Sequence, residues 1–480
     1  MTRQLVASIV LLIASSACAQ THRTSSGEEA VRHAIVGDAL LTEGAYHALA
    51  EISDRFGPRM VGTPGHVQSM DWVENALATL GIETRRETFS FPGWRRGEDA
   101  VRVLEPFDRP LRAAALGYSA PTEPMDAELV LYVRGDASPE VQASYRGRVL
   151  LIPSNVRLTA GEQRQLVEDD GARGFLLINR VAGGQLLART ANLTGEPAPV
   201  PMFVLTQEEG RWLRRQLDDG ETVRVRLEVA SQSMPMTGMN LVATLPGTSG
   251  ETIVVGAHFD SWDLGQGAMD NGLGVAQLLE AARLLRAHAR QHTIELVWFD
   301  AEEIGLWGSR AYAERHVPRN GDTDVRVMLN LDMVGTPIGI NAMGFDALVP
   351  VLTEATDALG SWRFTQPLAN KPWLGSDHHP FIERGVPAIT FNAPIDPDAV
   401  RYYHDFADTI DKVDRYELAR ASAIVALVTH VLANDTRNDL RRLSPSETTA
   451  LFQTAGVEAS LRGIGWWPAS PIWPGARVSE

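Results

Sequence analysis

The chain has 480 residues, 44% of them apolar, enough for two or three domains rather than one. Its 44 basic against 60 acidic residues leave a net charge of −16, which argues against a nucleic-acid binder, whose surface carries a basic stripe. A single cysteine excludes any disulfide within the chain, and beyond the N-terminus no apolar run reads as a membrane span.

Arg3, the apolar run Val6 to Ile13 and the small residues that follow read as a secretory signal over residues 1–19. Cleavage after Ala17-Cys18-Ala19 would free the N-terminus, into the periplasm or the medium. Cleavage before Cys18 would leave a lipoprotein, for which Ser15 replaces the usual leucine. Simple secretion fits better. Residues 28–90 open a catalytic domain. Glu28 to Glu87 reads as helical, with turns at Phe56-Gly57-Pro58-Arg59 and Gly62-Thr63-Pro64-Gly65 and an amphipathic run from Val67 that ends at Gly81. Over residues 91–233 the texture changes to short β-type runs broken by Pro and Gly, such as Val149 to Ile152 and Phe175 to Ile178, which marks a separate insert.

The catalytic domain resumes over residues 234–435. Leu241 to Leu245, Thr252 to Ala257, Ile294 to Phe299, Val325 to Leu331 and Pro387 to Phe391 read as strands. Gly274 to Leu285, a segment near Ser309 to Arg315, and Arg415 to Leu432 read as helices. This alternation predicts an α/β fold with a doubly wound, mixed but mainly parallel sheet flanked by helices. Residues 436–480, with Trp466, Trp467 and Trp473 among prolines, read as a tail packed on the body or on a partner.

Open α/β sheets bind ligands beyond the carboxyl ends of their strands. His258, Asp260 and Asp270 follow the second of the expected strands, Glu302 and Glu303 the third, Asp332 the fourth, and His404 the loop after the last. Each is unremarkable alone: a His-x-Asp pair is commonly surface polarity, and paired glutamates suit a helix start. Their convergence on one rim is the signal. Amide hydrolysis at neutral pH needs a strong nucleophile and relief of charge on the carbonyl oxygen, and zinc supplies both. Two metals need about five protein ligands if one carboxylate bridges, and His258, Asp270, Glu303, Asp332 and His404 make that number. Asp270, in a glycine-rich turn, is the bridging candidate. Glu302 is the candidate general base, and Asp260 the partner for the second nitrogen of His258. Trp262 and Tyr403 are candidates for substrate contact, though burial suits Trp262 equally well. His288, His292 and His316 read as exposed. Ser376-Asp377-His378 resembles a nucleophilic triad but lacks a Gly-x-Ser-x-Gly frame.

The runs GAHFDSWDLGQGAMDNGLG (256–274), WFDAEEIGLWGS (298–309), NLDMVG (330–335), GSDHHPF (375–381) and YYHDFADT (402–409) resemble the co-catalytic zinc aminopeptidase family, nearest its carboxypeptidase Q branch. The insert is similar in place and texture to a protease-associated domain. The resemblance implies two zinc ions per chain, one held by His258, Asp332 and Asp270, the other by Glu303, His404 and Asp270. It also implies a cis peptide at Asp270-Asn271, and small peptides with a free N-terminus as substrates. Two other functions share this scaffold: a single-zinc glutaminyl cyclase, and a receptor-like ectodomain without catalysis. Aminopeptidase and dipeptidase, monomer and homodimer, stay open at this point, and Asp377-His378-His379 adds a histidine without an assigned role.

Overall fold

Thr252–His258 and Val325–Asn330 are buried along their whole length, as central strands covered on both faces must be. The computed structural model describes residues 27–135, 138–319, 321–394, 401–467 and 469; the expected signal over 1–19, with Cys18, and Trp473 lie outside them. Seven strands form the first sheet: β1 (Glu83–Arg95), β2 (Gln232–Leu245), β3 (Thr252–His258), β4 (Thr293–Phe299), β5 (Val325–Asn330), β6 (Gly339–Asn341) and β7 (Ala388–Asn392). Their spatial order is β1-β2-β4-β3-β5-β7-β6. The four strands β4, β3, β5 and β7 run parallel, and β1, β2 and β6 are antiparallel to their neighbours. His258 pairs with Phe299 and Gly256 with Asn330, so the chain leaves β3, β4 and β5 on the same rim.

Side-chain alternation along these strands divides the core into two. Ile253, Val255 and Ala257 point into a large cluster with Leu278, Ile424 and Val428 from helices Leu273–Leu285 and Arg415–Ala433. Val254, Val297 and Met328 point the other way, onto Tyr312 of helix Trp307–His316 and onto Phe381. Arg415–Ala433 is long and apolar enough to cross a bilayer by length and composition alone, yet most of it is buried in this core.

Residues 100–229 build a second, eight-stranded mixed sheet. Its centre, Thr122–Leu131, Val149–Ile152, Gly174–Ile178 and Met202–Leu205, is parallel. It has its own core on each face. The two sheets are joined by β1 and β2, paired from Glu83↔Thr244 to Arg95↔Gln232 and extending past β4 as a two-stranded ribbon. Both expected edges of the insert, 91 and 233, fall within this ribbon.

Two sequence expectations need correction, the extent of the first helical stretch and the exposure of His292 and His316. The helical stretch stops at Thr79, and residues from Glu83 are strand. Phe89 and Phe91 supply an alternating apolar face, and the ladder to β2 outweighs the helix-favouring Glu and Arg residues. The tail is ordered into helices Pro445–Thr454 and Glu458–Gly463, the first closed by a reciprocal Ser444–Glu447 capping box. Trp466 then buries its ring 5.1 Å from that of His379. Finally, His292 is buried between the Ser249 hydroxyl and the Asp435 carbonyl, and His316 binds the Glu87 carboxylate.

Candidate metal centre

The loop after β3 must hold His258 and Asp270 near each other while carrying many main-chain carbonyls into the interior. Arg59 meets that need. Fully buried, it donates from Nε to the Phe259 carbonyl (2.9 Å), from Nη1 to Gln266 (2.9 Å) and from Nη2 to Gly267 (2.8 Å). Burial lowers its pKa to about 10, partly offset by Asp408 and Asp260, so it stays a cation at neutral pH. Gly267 has φ +61°, and a Cβ there would lie 2.3 Å from that of Ser261, so the turn requires glycine.

Asp270 is fixed from both sides. The amides of Met269 and Asp270 donate to the two oxygens of the Asp408 carboxylate, at 2.7 and 3.1 Å. The Asp270-Asn271 peptide is cis. The Asn271 amide donates to the Leu331 carbonyl at 2.8 Å and accepts from the Met333 amide at 3.1 Å, which ties Asp332 to the same loop.

After β4 the chain turns through Ala301 (φ +57°) to deliver Glu302 and Glu303. The Asp260 carboxylate accepts from both their amides, at 3.0 and 3.2 Å. This differs from the role expected of Asp260. Its carboxylate lies 3.7 Å from His258 Nδ1, whereas its main-chain carbonyl accepts from Nδ1 at 3.0 Å. The His-x-Asp spacing curls the backbone back onto the ring and leaves the side chain free to hold the glutamate turn. Upstream, Asp300 is held by His66 Nε2 (2.8 Å) and the Met239 amide (2.9 Å).

The five expected ligands meet. Asp270 Oδ1 lies 3.1 Å from His258 Nε2, which is 3.6 Å from Asp332 Oδ1. Asp270 Oδ2 lies 2.9 Å from His404 Nε2, which is 3.1 Å from Glu303 Oε2. One carboxylate thus faces two separate acid–imidazole pairs, one with each oxygen. Ligand atoms around a tetrahedral zinc sit roughly 3.3 Å apart, given metal–ligand bonds near 2.0–2.1 Å, so these separations suit a metal. The donors are nitrogen and oxygen only, as in catalytic zinc sites. Glu303 Oε1 is buried without a hydrogen-bond partner, a further free donor.

The electrostatics agree. Burial pushes the Glu302 carboxyl well above its ordinary pKa, and Asp377, Asp332 and Glu303 add to the rise. Burial, with Asp270, lifts Glu303 to about 7, and burial lifts Asp377 to about 7. The pKa values of His258 and His404 are raised: burial opposes their charge, and the surrounding carboxylates outweigh it. This concentration of buried acid, answered by only two imidazoles in direct contact, is what divalent cations would neutralise.

A cavity of about 500 Å³ opens over the cluster, reaching Trp262, Glu302, Glu303 and His404 as well as residues of the insert and of the tail. Trp262 is both buried and part of the wall, its ring 5.9 Å from that of His404. The Tyr403 ring lies tilted beside that of His404, centroids 4.3 Å apart, but does not line the cavity. His378 Nε2 donates to the Trp373 carbonyl, 2.9 Å away. Sequence reasoning gave no role to Arg59 or Asp408, and read Asp377 only within a triad-like run. The turn at Phe56-Gly57-Pro58-Arg59 and the run YYHDFADT contain the first two, but nothing in them announces contacts with main chain some 200 and 140 residues away.

The family model for peptidase family M28 matches residues 240–429. Carboxypeptidase Q of Bos taurus is 28% identical over 412 residues, covering 81% of this chain and 85% of that protein. Leucine aminopeptidase 2 of Trichophyton rubrum is 30% identical over 343 residues, covering 69% of this chain and 67% of that protein. Among solved structures, a peptidase M28 precursor from Shewanella amazonensis superposes with a TM-score of 0.75 at 25% identity, over 88% of this chain and 99% of that one. The chain belongs to peptidase family M28 and is an enzyme that hydrolyses peptide bonds.

Proposed function

We propose that this enzyme is an exported zinc-dependent exopeptidase that holds two zinc ions and removes the first residue of small peptides with a free N-terminus, as an aminopeptidase or dipeptidase. The observation that carries this reading is the double-sided Asp270, with His258 and Asp332 at one oxygen and His404 and Glu303 at the other. The five side chains fit zinc in donor type, number and spacing. When bound, zinc supplies a Lewis acid for the scissile carbonyl and makes water a nucleophile near neutral pH.

The chain's own residues do the rest. Glu302, in the cavity wall beside the ligands, takes the proton from the attacking water as its oxygen bonds to the carbonyl carbon. When the C–N bond breaks, the same carboxyl gives that proton to the departing amine. Asp260 keeps Glu302 and Glu303 in register through their amides, so base and ligand stay at a fixed offset. Trp262 and Trp466 give the cavity apolar walls that limit water. The insert is of the protease-associated type, set against the ligand loop. Export rests on the N-terminal apolar run, Val6 to Ile13.

Chelator-stripped protein should lose hydrolysis of unblocked dipeptides and aminoacyl anilides, and regain it as two zinc ions per chain are returned. Uptake of a single zinc with cyclisation of N-terminal glutamine would replace this reading with a glutaminyl cyclase. No uptake in a calorimetric titration would leave a binding ectodomain.

A further inference from the structure

The charged groups that line the cavity fall into two sets. Glu302, Glu303 and His404 belong to the ligand cluster, and Arg157 and Arg189 come from the insert. Arg189 is the partly buried member of the arginine pair. Among the described residues no carboxylate pairs with it; the charged and titratable groups that act on it are Arg157, Arg180 and the Tyr403 phenol. A guanidinium does not shed its proton near neutral pH. Arg189 is therefore a cation in a cavity wall with two other cations near it and, among the described residues, no carboxylate paired with it, an arrangement that costs stability unless an anion arrives.

Its place is fixed. The Gly117 amide donates to the Arg189 carbonyl at 2.9 Å, and the preceding residue, Ala188, exchanges two hydrogen bonds with His404. The backbone of Arg189 thus starts one residue from the partner of a proposed metal ligand. A peptide bound with its scissile carbonyl over that cluster carries its chain onward by at most ~3.5 Å per residue. Its terminal carboxylate stays within this cavity only when few residues follow the scissile bond.

We propose that Arg189 is a specificity-determining residue that receives the free α-carboxylate of a di- or tripeptide, so that the enzyme selects short peptides by both ends. The planar guanidinium fork matches a carboxylate in two parallel hydrogen bonds, and Arg157 adds to the attraction. The anchor presupposes the exopeptidase chemistry described above and adds to it the substrate's far end.

The test uses the full zinc-loaded chain and three substrates: an unblocked dipeptide, the same dipeptide as its C-terminal amide, and an aminoacyl anilide. A charge-assisted carboxylate contact should favour the free acid over the amide by about 10–100-fold in kcat/KM. In Arg189→Met the acid-to-amide ratio should fall to about one, mainly through KM, with Arg189→Lys between. Calorimetric titration with a reduced-bond dipeptide isostere and its amide reads the same preference without turnover. Equal use of acid and amide by the unmutated chain, which involves no folding risk, would overturn the anchor, as would a preference that survives in folded Arg189→Met. Should none of the three substrates be hydrolysed, the exopeptidase reading fails, and the titration still decides on Arg189.

Discussion

His404 and Ala188 bind each other twice: the His404 ring Nδ1 lies 2.8 Å from the Ala188 carbonyl, and the Ala188 amide donates to the His404 carbonyl at 3.1 Å. A carbonyl only accepts, so Nδ1 carries the proton and Nε2 is the nitrogen turned to Asp270 and Glu303. Ala188 belongs to the insert. The second sheet therefore does more than roof the cavity, because it sets the orientation of a proposed ligand on the catalytic rim. Such outer partners of metal-bound histidines fix tautomer and ring angle.

The same junction is pinned by Asp405, buried to 1% exposure, whose Oδ2 accepts from the Leu186 amide at 2.5 Å and whose Oδ1 accepts from Phe406 at 2.8 Å. Asp405→Ala leaves the buried Leu186 amide and the partly buried Phe406 amide without this partner and should cost about 1–3 kcal/mol of stability. It should also weaken one of the two proposed zinc sites, that of His404, by about 10–100-fold while leaving the proposed His258 site near its original affinity. Thermal unfolding and a two-site zinc titration measure both effects. Equal weakening of both sites, or of neither, would disprove this division of labour.

Glu302 and Glu303 are neighbours held by one carboxylate, yet the proposed mechanism gives them different tasks. Glu302→Gln keeps the size and the main-chain contact with Asp260 and removes the proton acceptor. Hydrolysis should fall by about 10²–10⁴-fold in kcat. Zinc content should stay at the level of the unmutated chain, because Glu303 is the proposed ligand of the pair. Metal analysis beside steady-state kinetics separates the roles, and a variant that loses zinc along with activity would make Glu302 a ligand instead.

How much of this was legible in the chain follows from where each contact is made. The strands β3, β4 and β5 are short, mostly apolar runs, so their ends, and hence His258, Glu303 and Asp332, can be read directly. His404 lies past a loop, and its spacing alone said nothing; the family-like run around it did. Arg59 and Asp408 act on main-chain carbonyls and amides, which every residue has, so no pattern marks their partners. Only the start of β1, Glu83 to Glu87, reads as helix, because Glu83, Arg85, Arg86 and Glu87 carry charge where a strand usually alternates. The charges of Arg85, Arg86 and Glu87 are answered by partners from other elements, Glu295, Glu74 and His316, which sequence order conceals. The tail did offer a signal, since Ser444 and Glu447 have the spacing of a capping box.

Glu87 makes acid stability a test of that concealed network. Its side chain is 5% exposed and touches His316 Nε2 at 2.8 Å, Arg85 Nε at 2.8 Å and Arg315 Nη1 at 3.0 Å. Burial alone would raise its pKa, but His316 and Arg85 overcome that and hold it at about 2, below its ordinary 4.5. A carboxyl depressed by folding stabilises the native state above its unfolded pKa, and that contribution fades as pH falls from about 4.5 towards 2. Taking into account that the cluster is partly open to solvent, the contribution is about 1–3 kcal/mol. Glu87→Gln should therefore be less stable than the unmutated chain at pH 6, by that amount. The difference should shrink as the pH drops through this window, because the unmutated chain loses what the variant never had. Urea midpoints taken between pH 6 and pH 2.5 would show the two curves converging; parallel curves would mean that the Glu87 charge contributes nothing to holding β1 against helix Trp307–His316.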